Sequence, residues 1–226
     1  MESYIVLAFI AAFTTLTIGS IIWSGIRNRK RVESLQSLAK KLQLKFSPVG
    51  DEELHRSFEN FELFNKGRFR KLKNLIEGKT DDVAIAVFDY TYMTGGGKSK
   101  RFHTQTVTSI RSANLQVGDF RMRPEGLLER ASSMMGFQDI DFDSHPEFSK
   151  MYVLQGKSEQ AVRELFQPDI LEYFESKPRL TFEGREDTLI MFERGRRLTA
   201  EQIEQKLSEV LELQNTFSQS MQMANV

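Results

Sequence analysis

The chain has 226 residues, 31 of them Lys or Arg and 31 Asp or Glu, so its formal net charge is zero, and it contains no cysteine. Charge neutrality speaks against general nucleic-acid binding, which needs a basic excess to neutralise phosphates. The lack of cysteine excludes disulfides, thiolate catalysis and cysteine-ligated zinc or iron–sulfur sites, while 18 Phe residues mark a composition that folds. From Tyr4 to Ile26 no side chain is charged (YIVLAFIAAFTTLTIGSIIWSGI). A helix of this length spans roughly 35 Å, against a hydrocarbon core of about 30 Å. Tyr4 and Trp23 sit near its ends, where amphipathic rings favour headgroups, so residues 1–26 read as a transmembrane anchor. A cleaved signal peptide would need a basic start and a small-x-small cleavage site; the chain starts Met1-Glu2-Ser3 and no such site follows. Ala11, Thr15 and Gly19 recur every four residues, placing small side chains on one helix face as self-association in lipid requires.

Residues 27–50 read as a basic collar (Arg27, Arg29, Lys30, Arg31) and a juxtamembrane helix. That helix carries Val32, Leu35, Leu38, Ala39 and Leu42 at helical spacing and ends before the breakers Pro48 and Gly50. Residues 51–217 read as a soluble α+β domain. Asp51 caps a short helix with Leu54 and Phe58 on one face. Strands follow over Phe69 to Glu77, Val83 to Met93, Phe102 to Arg111 and Phe120 to Arg123, with turns at Lys79 to Asp82 and Thr94 to Lys98. The second of these strands is nearly continuously apolar, as a strand buried on both faces is. Pro124-Glu125 opens a helix to about Met135. Asp139 to Phe142 and Met151 to Gln155 read as short strands. Ser158 caps a helix carrying Val162, Leu165 and Phe166, and Pro168 starts another with Ile170, Leu171 and Phe174 inward. Leu180 to Glu183 and Thr188 to Glu193 form a hairpin around Gly184-Arg185-Glu186-Asp187. Thr199 with Gln202 makes a capping box before a last helix that buries Ile203, Leu207, Val210 and Leu211. Residues 218–226 read as a frayed tail. Glu77-Gly78-Lys79 echoes Glu183-Gly184-Arg185, each before an apolar strand, as a duplicated half-domain would arrange them. The expected fold is α+β, a mainly antiparallel sheet packed with helices on one side and preceded by one transmembrane helix.

No complete catalytic or cofactor motif emerges. Gly97-Lys98-Ser99 resembles the end of a phosphate loop, but position 92 is Tyr where the motif needs Gly, and a β-branched run rather than a helix follows. Asp139, Asp141, Asp143 and His145 alternate, which puts potential metal ligands on one face of an extended segment. The calcium-loop pattern fails, with Ser144 where Gly is needed and Lys150 where Glu is needed. His103 and Gln105 share a strand face, and a histidine can act as a general base, yet no nucleophile is coded beside it. Between Lys66 and Lys79 positive charge is concentrated. Arg68, Arg70, Lys71 and Lys73 are the candidates there for holding anionic headgroups.

Asp89 to Val107 (DYTYMTGGGKSKRFHTQTV), Phe120 to Gly126 (FRMRPEG), Gly136 to Gly156 (GFQDIDFDSHPEFSKMYVLQG) and Val162 to Pro168 (VRELFQP) together resemble a family of bacterial single-pass membrane proteins of unknown function. The resemblance covers most of the soluble part and implies one N-terminal membrane helix and a bacterial origin; it implies no activity. Arg27, Arg29, Lys30 and Arg31 follow the apolar run and no Lys or Arg precedes it, which places the soluble domain in the cytoplasm at the inner membrane. The expected function is a membrane-anchored binding or scaffold module acting at the cytoplasmic membrane surface, of unknown activity. Its expected partners are the lipid bilayer, anionic headgroups and an unidentified protein, with no nucleic acid and no cofactor. The alternative is a membrane-bound enzyme with a polar site near His103 and Asp139 to His145.

Overall fold

The computed structural model describes residues 2–80, 82–126 and 138–224, with side chains between positions 12 and 217 of these. A long helix α1 (Glu2–Lys41) leads into β1 (Lys45–Val49), α2 (Glu52–Ser57), α3 (Glu62–Asn65), β2 (Arg68–Lys79), β3 (Val83–Thr94), β4 (Arg101–Ser112) and β5 (Phe120–Pro124). Then come α4 (Pro146–Met151), β6 (Tyr152–Gly156), α5 (Glu159–Leu165), α6 (Pro168–Glu175), β7 (Leu180–Arg185), β8 (Thr188–Glu193) and α7 (Ala200–Ala224). The strands form one 8-stranded sheet in the order β1-β2-β3-β4-β8-β7-β5-β6, and every pairing in it is antiparallel. The α+β class and the antiparallel sheet agree with the sequence.

Local chemistry accounts for the element ends. The Asp51 carboxylate accepts from the Glu53 amide at the start of α2, and the Ser158 hydroxyl accepts from the Ala161 amide at the start of α5. Thr199 and Gln202 close the reciprocal capping box before α7 at 3.1 and 3.3 Å. Two bulges bend β2, each adding one residue opposite β3. The extra residues, Phe69 and Asn74, both take positive φ, near 53°.

The sheet is covered on both faces, which corrects the expectation of helices on one side. One face carries Ile85, Val87, Ile110, Leu189 and Met191, on which α1, α7 and the helices α4 to α6 pack. The opposite face carries Ala86, Phe88, Tyr90, Tyr92, Val107, Ile190 and Phe192, covered by Phe58, Leu63 and Phe64 of the α2–α3 segment. The two sets alternate along β3 and β8, the period of 2 that a strand buried on both faces demands. The α2–α3 cover was half hidden in the sequence because α3 has only 4 residues, too few for a periodic signal.

Further corrections follow. Pro48 lies inside β1, where it is tolerated because β1 is an edge strand. Pro124 ends β5 instead of opening a helix, and the Glu125 amide donates to Met151; the rest of that expected helix, 127–135, lies outside the described residues. Asp139 to Phe142 is not a strand but an irregular segment clipped to β6: the Ile140 amide donates to Leu154 O, and Asp139 accepts from the Leu154 amide. On α7 it is Leu213 and Phe217, at 6% and 0% exposed, that join Val210 in the core, while Leu211 is 39% exposed. The helix continues through 218–224, where composition suggested a frayed tail.

The N-terminal reading also changes. Among the described residues no helix is long and apolar enough to cross a membrane. This overturns the expected transmembrane helix and the single-pass membrane class built on it. From Ala12 onward, Thr14, Thr15, Thr17, Ser20 and Ser24 dilute the apolar run, and Arg27 and Arg29 end it within α1. Arg31, assigned by sequence to the collar, is instead folded onto the sheet, as described below.

The glycine echo has a packing reason. A Cβ on Gly184 would sit 2.2 Å from Phe120 Cε1, and one on Gly78 2.4 Å from Leu44 Cδ2. Each glycine lets an apolar side chain lie flat on the strand. Phe120 is 1% exposed and packed edge-on against Phe166 and tilted against Phe182, so it has nowhere to retreat. Gly184→Ala is expected to destabilise the fold by about 1–3 kcal/mol by overpacking, measured by denaturant unfolding; an unchanged midpoint would refute the close-approach argument.

Candidate functional site

The sheet face under α2 is stepped in size and polarity along its strands. The inner rung, Phe88–Val107–Phe192, is fully apolar and roofed by Phe58. The next rung toward the β2–β3 turn pairs Glu77 with Ala86 and Ala86 with Ser109. The outer rung pairs Lys79 with Ala84, Ala84 with Arg111 and Arg111 with Thr188. Because Ala84, Ala86 and Ser109 are small, they leave a recess of about 470 Å³ between the sheet and α2. Leu54 and Phe58 wall it, and Lys45, Lys79 and Arg111 stand at its mouth. Its volume falls in the range of small-molecule sites, roughly 300–1,000 Å³. The sequence signal was the spacing of Ala84 and Ala86 within VAIAVF, two small residues on one face of a buried strand; sequence reading took that run only as core.

The residues singled out by sequence lie elsewhere and apart. His103 and Gln105 do share a face of β4, the same face as Tyr90 and Tyr92. The His103 ring stacks on Tyr92 at 4.9 Å, and its Nε2 lies 2.8 Å from Thr94 Oγ1. Burial, then the charges of Arg194, Arg101 and Lys66, push the imidazole below its ordinary pKa. Gln105 is fully buried and accepts from the Gly195 amide at 3.3 Å. Asp139 to His145 lies beyond β6. Strands β8, β7 and β5 separate β6 from β4, about 19 Å at the usual strand spacing. The two halves of the alternative enzyme site therefore do not meet.

The Asp139 carboxyl is bound to the Leu154 amide at 2.7 Å, and burial raises its pKa, against that hydrogen bond. His145 Nδ1 lies 3.0 Å from Ser144 Oγ. Among the described residues no three His, Cys, Asp or Glu side chains are grouped to hold a metal ion. Of the basic candidates, Arg68 donates to Gly95 O at 3.0 Å and Arg70 to Asn65 O at 2.6 Å. Lys71 and Lys73 are exposed.

Two buried charge clusters flank these features. On the α1/α7 face, Asp89 is 4% exposed and meets Arg31 in a two-pronged pair, Nε to Oδ2 and Nη2 to Oδ1, both at 2.6 Å. Asn74, Thr106 and Arg197 also donate to it. On the other face Arg121 pairs with Glu62 at 2.5 Å and with Glu183 at 3.6 Å. Both clusters tie several elements together and lie outside the lining of the recess.

The sequence matches no family model and no curated protein. The fold is an eight-stranded antiparallel α+β sheet. It resembles the crystal structure of the mycobacterial trehalose monomycolate transport factor A, TtfA, with a TM-score of 0.59 over 85% of this chain and 95% of that one, at 11% identity. At that identity the likeness establishes the fold.

Proposed function

We propose that the protein is a binding module whose ligand site is the recess between α2 and the sheet, and that it works by holding a ligand and not by transforming it. The observation that carries this reading is the recess itself. It has an apolar inner end, small residues along its floor and a charged mouth, with no histidine among its lining residues and no acid–base pair set for proton transfer. The separation of His103 from Asp139 to His145 supports binding over catalysis. The structural neighbour is named for the transport of trehalose monomycolate, and a carrying or recruiting role is consistent with a site of this kind. What this chain holds must be argued from its own residues.

The reading is tested with Nile red, a neutral apolar dye whose emission rises on leaving water. The full chain should give a saturable one-to-one signal, and Ala86→Leu should weaken it at least tenfold by filling the floor. Ala86 is only 7% exposed, so circular dichroism is needed beside the titration to establish that the variant is folded. Equal dye affinity in a folded Ala86→Leu protein would overturn the recess as the ligand site.

A further inference from the structure

We infer that the recess takes a single-chain amphiphile with one anionic headgroup, its tail directed toward Phe58 and its head toward Lys79. The inference rests on the recess being the ligand site and adds the chemistry of what enters it.

Polarity changes in one direction along the strands. Leu54 and Phe58 give the inner end its apolar surface, and behind Phe58, 2% exposed, lies the buried rung Phe88–Val107–Phe192. Ala86 and Ser109 form the middle floor, directly paired across β3 and β4. At the outer end Lys79 and Arg111 flank Ala84 on either side, two strand spacings or about 10 Å apart. A ligand that follows this gradient needs an apolar end and a polar end in line, which a single acyl or alkyl chain has. A compact polar metabolite would leave the inner apolar end uncovered. A bulky polycyclic ligand would need width, and Phe58 and Leu54 on one side and the sheet on the other confine the recess.

The charge at the mouth sets the sign and number of the headgroup charge. Lys45, Lys79 and Arg111 are cationic. Arg111 lies 3.7 Å from Asp187 and donates to Thr188, and Lys45 faces Glu77 across β1 and β2. Among the described residues that line the recess and their ion partners, three cations against two carboxylates leave one net positive charge, centred on Lys79. A monoanion neutralises it, whereas a cationic head would meet repulsion at closest approach.

The test uses the full chain and three ten-carbon probes below their micelle thresholds: decanoate, decyl maltoside and decyltrimethylammonium, each displacing Nile red. Decanoate should bind about tenfold or more tighter than the other two. Lys79→Glu should remove that preference while leaving decyl maltoside unchanged. Shortening decanoate by two methylenes should weaken binding roughly 10–15-fold, as burial of both in apolar surroundings requires. Ala86→Leu should block all three probes. If all three bind equally and Ala86→Leu still blocks them, the anionic assignment fails while the recess stands as the site. If Ala86→Leu blocks none, both fail together.

Discussion

Asp89→Ala should destabilise the fold by about 3–5 kcal/mol, the cost of stripping one partner from a buried ion pair. Asp89 and Arg31 have side chains only 5% and 14% exposed. Removing the carboxylate leaves the Arg31 guanidinium, and beside it Arg197, facing a gap with no counter-charge. Asn74 would lose its partner too, at a bulge position held at φ 53°. The effect should reach past β3, because Arg31 also donates to Leu198 O at 2.8 Å and so ties α1 to the start of α7. The pH dependence follows from the same geometry. Burial alone would raise the Asp89 carboxyl, but the hydrogen bonds and charge of Arg31, with Asn74 and Arg197, outweigh it and hold it below its ordinary value of 3.8. A carboxyl depressed in the folded state stabilises fully above its ordinary pKa. That contribution is lost as pH falls below about 4 through the folded value. Wild type should therefore lose stability over this acid range, and Asp89→Ala should lose less. Guanidinium unfolding of both proteins at pH 7 and pH 3 measures this, and a midpoint at pH 7 unchanged by Asp89→Ala would remove the clamp from the account.

How much of this was legible in the sequence depends on the range of the interaction. Caps and hairpins are local, and Asp51, Ser158 and the Thr199–Gln202 box formed where the sequence placed them. The strand buried on both faces at Val83 was legible because alternation fails there in favour of a continuous apolar run. Arg31 was misread because its partner Asp89 is 58 positions away. In a run of arginines and lysines next to an apolar segment, nothing local distinguishes the one that turns inward. The apolar run itself was read from its missing charges, and that reading gave too little weight to the hydroxyls of Thr14, Thr15, Thr17, Ser20 and Ser24. Asp139 to Phe142 alternates as a strand does, with Ile140 and Phe142 in the core. Its backbone nevertheless pairs with β6 only at Ile140 and through the Asp139 carboxylate, so alternation gave burial correctly and hydrogen bonding wrongly.

The recess was illegible for a different reason. A site made by small side chains is a lack of volume, and it becomes visible only once α2 is laid over the sheet and shown not to fill the space above Ala86 and Ser109. Catalytic residues announce themselves by type, whereas alanine and serine on a buried strand announce only core. The bulky neighbours matter equally: Phe58 and Phe88, with centroids 5.5 Å apart, hold α2 off the floor at one end. The three cations at the mouth come from β1, β2 and β4, and only the pairing register brings them to one edge.

Arg121→Met should be as costly as Asp89→Ala, about 3–5 kcal/mol at neutral pH, and its cost should likewise shrink in acid, although the carboxyl behind it, Glu183, is shifted up where Asp89 is shifted down. Arg121 and Glu183 face each other across β5 and β7, with side chains 4% and 2% exposed, and Glu62 of α3 reaches Arg121 from above. Burial is the largest influence on Glu183 and pushes its carboxyl above the ordinary 4.5; Arg121 opposes this, Glu62 adds to it, and Lys66 and the Glu62 amide oppose it more weakly. A carboxyl raised in the folded state leaves the protein at full stability below its ordinary pKa and weakens it as pH rises through the folded value. Without Arg121, two carboxylates share a buried site in which Lys66, 3.2 Å from Glu62, remains as a nearby cation. The loss should therefore be large at pH 7 and shrink toward pH 4, where the carboxyls take up protons. Adding Glu183→Gln to Arg121→Met removes one of the two buried charges and should restore a large part of the stability, a coupling that a double-mutant cycle resolves. Denaturant unfolding of wild type, both single variants and the double variant at pH 7 and pH 4.5 supplies the comparison. If Arg121→Met costs the same at both pH values and Glu183→Gln restores nothing, the loss comes from packing, and the buried charges do not set the stability of this face.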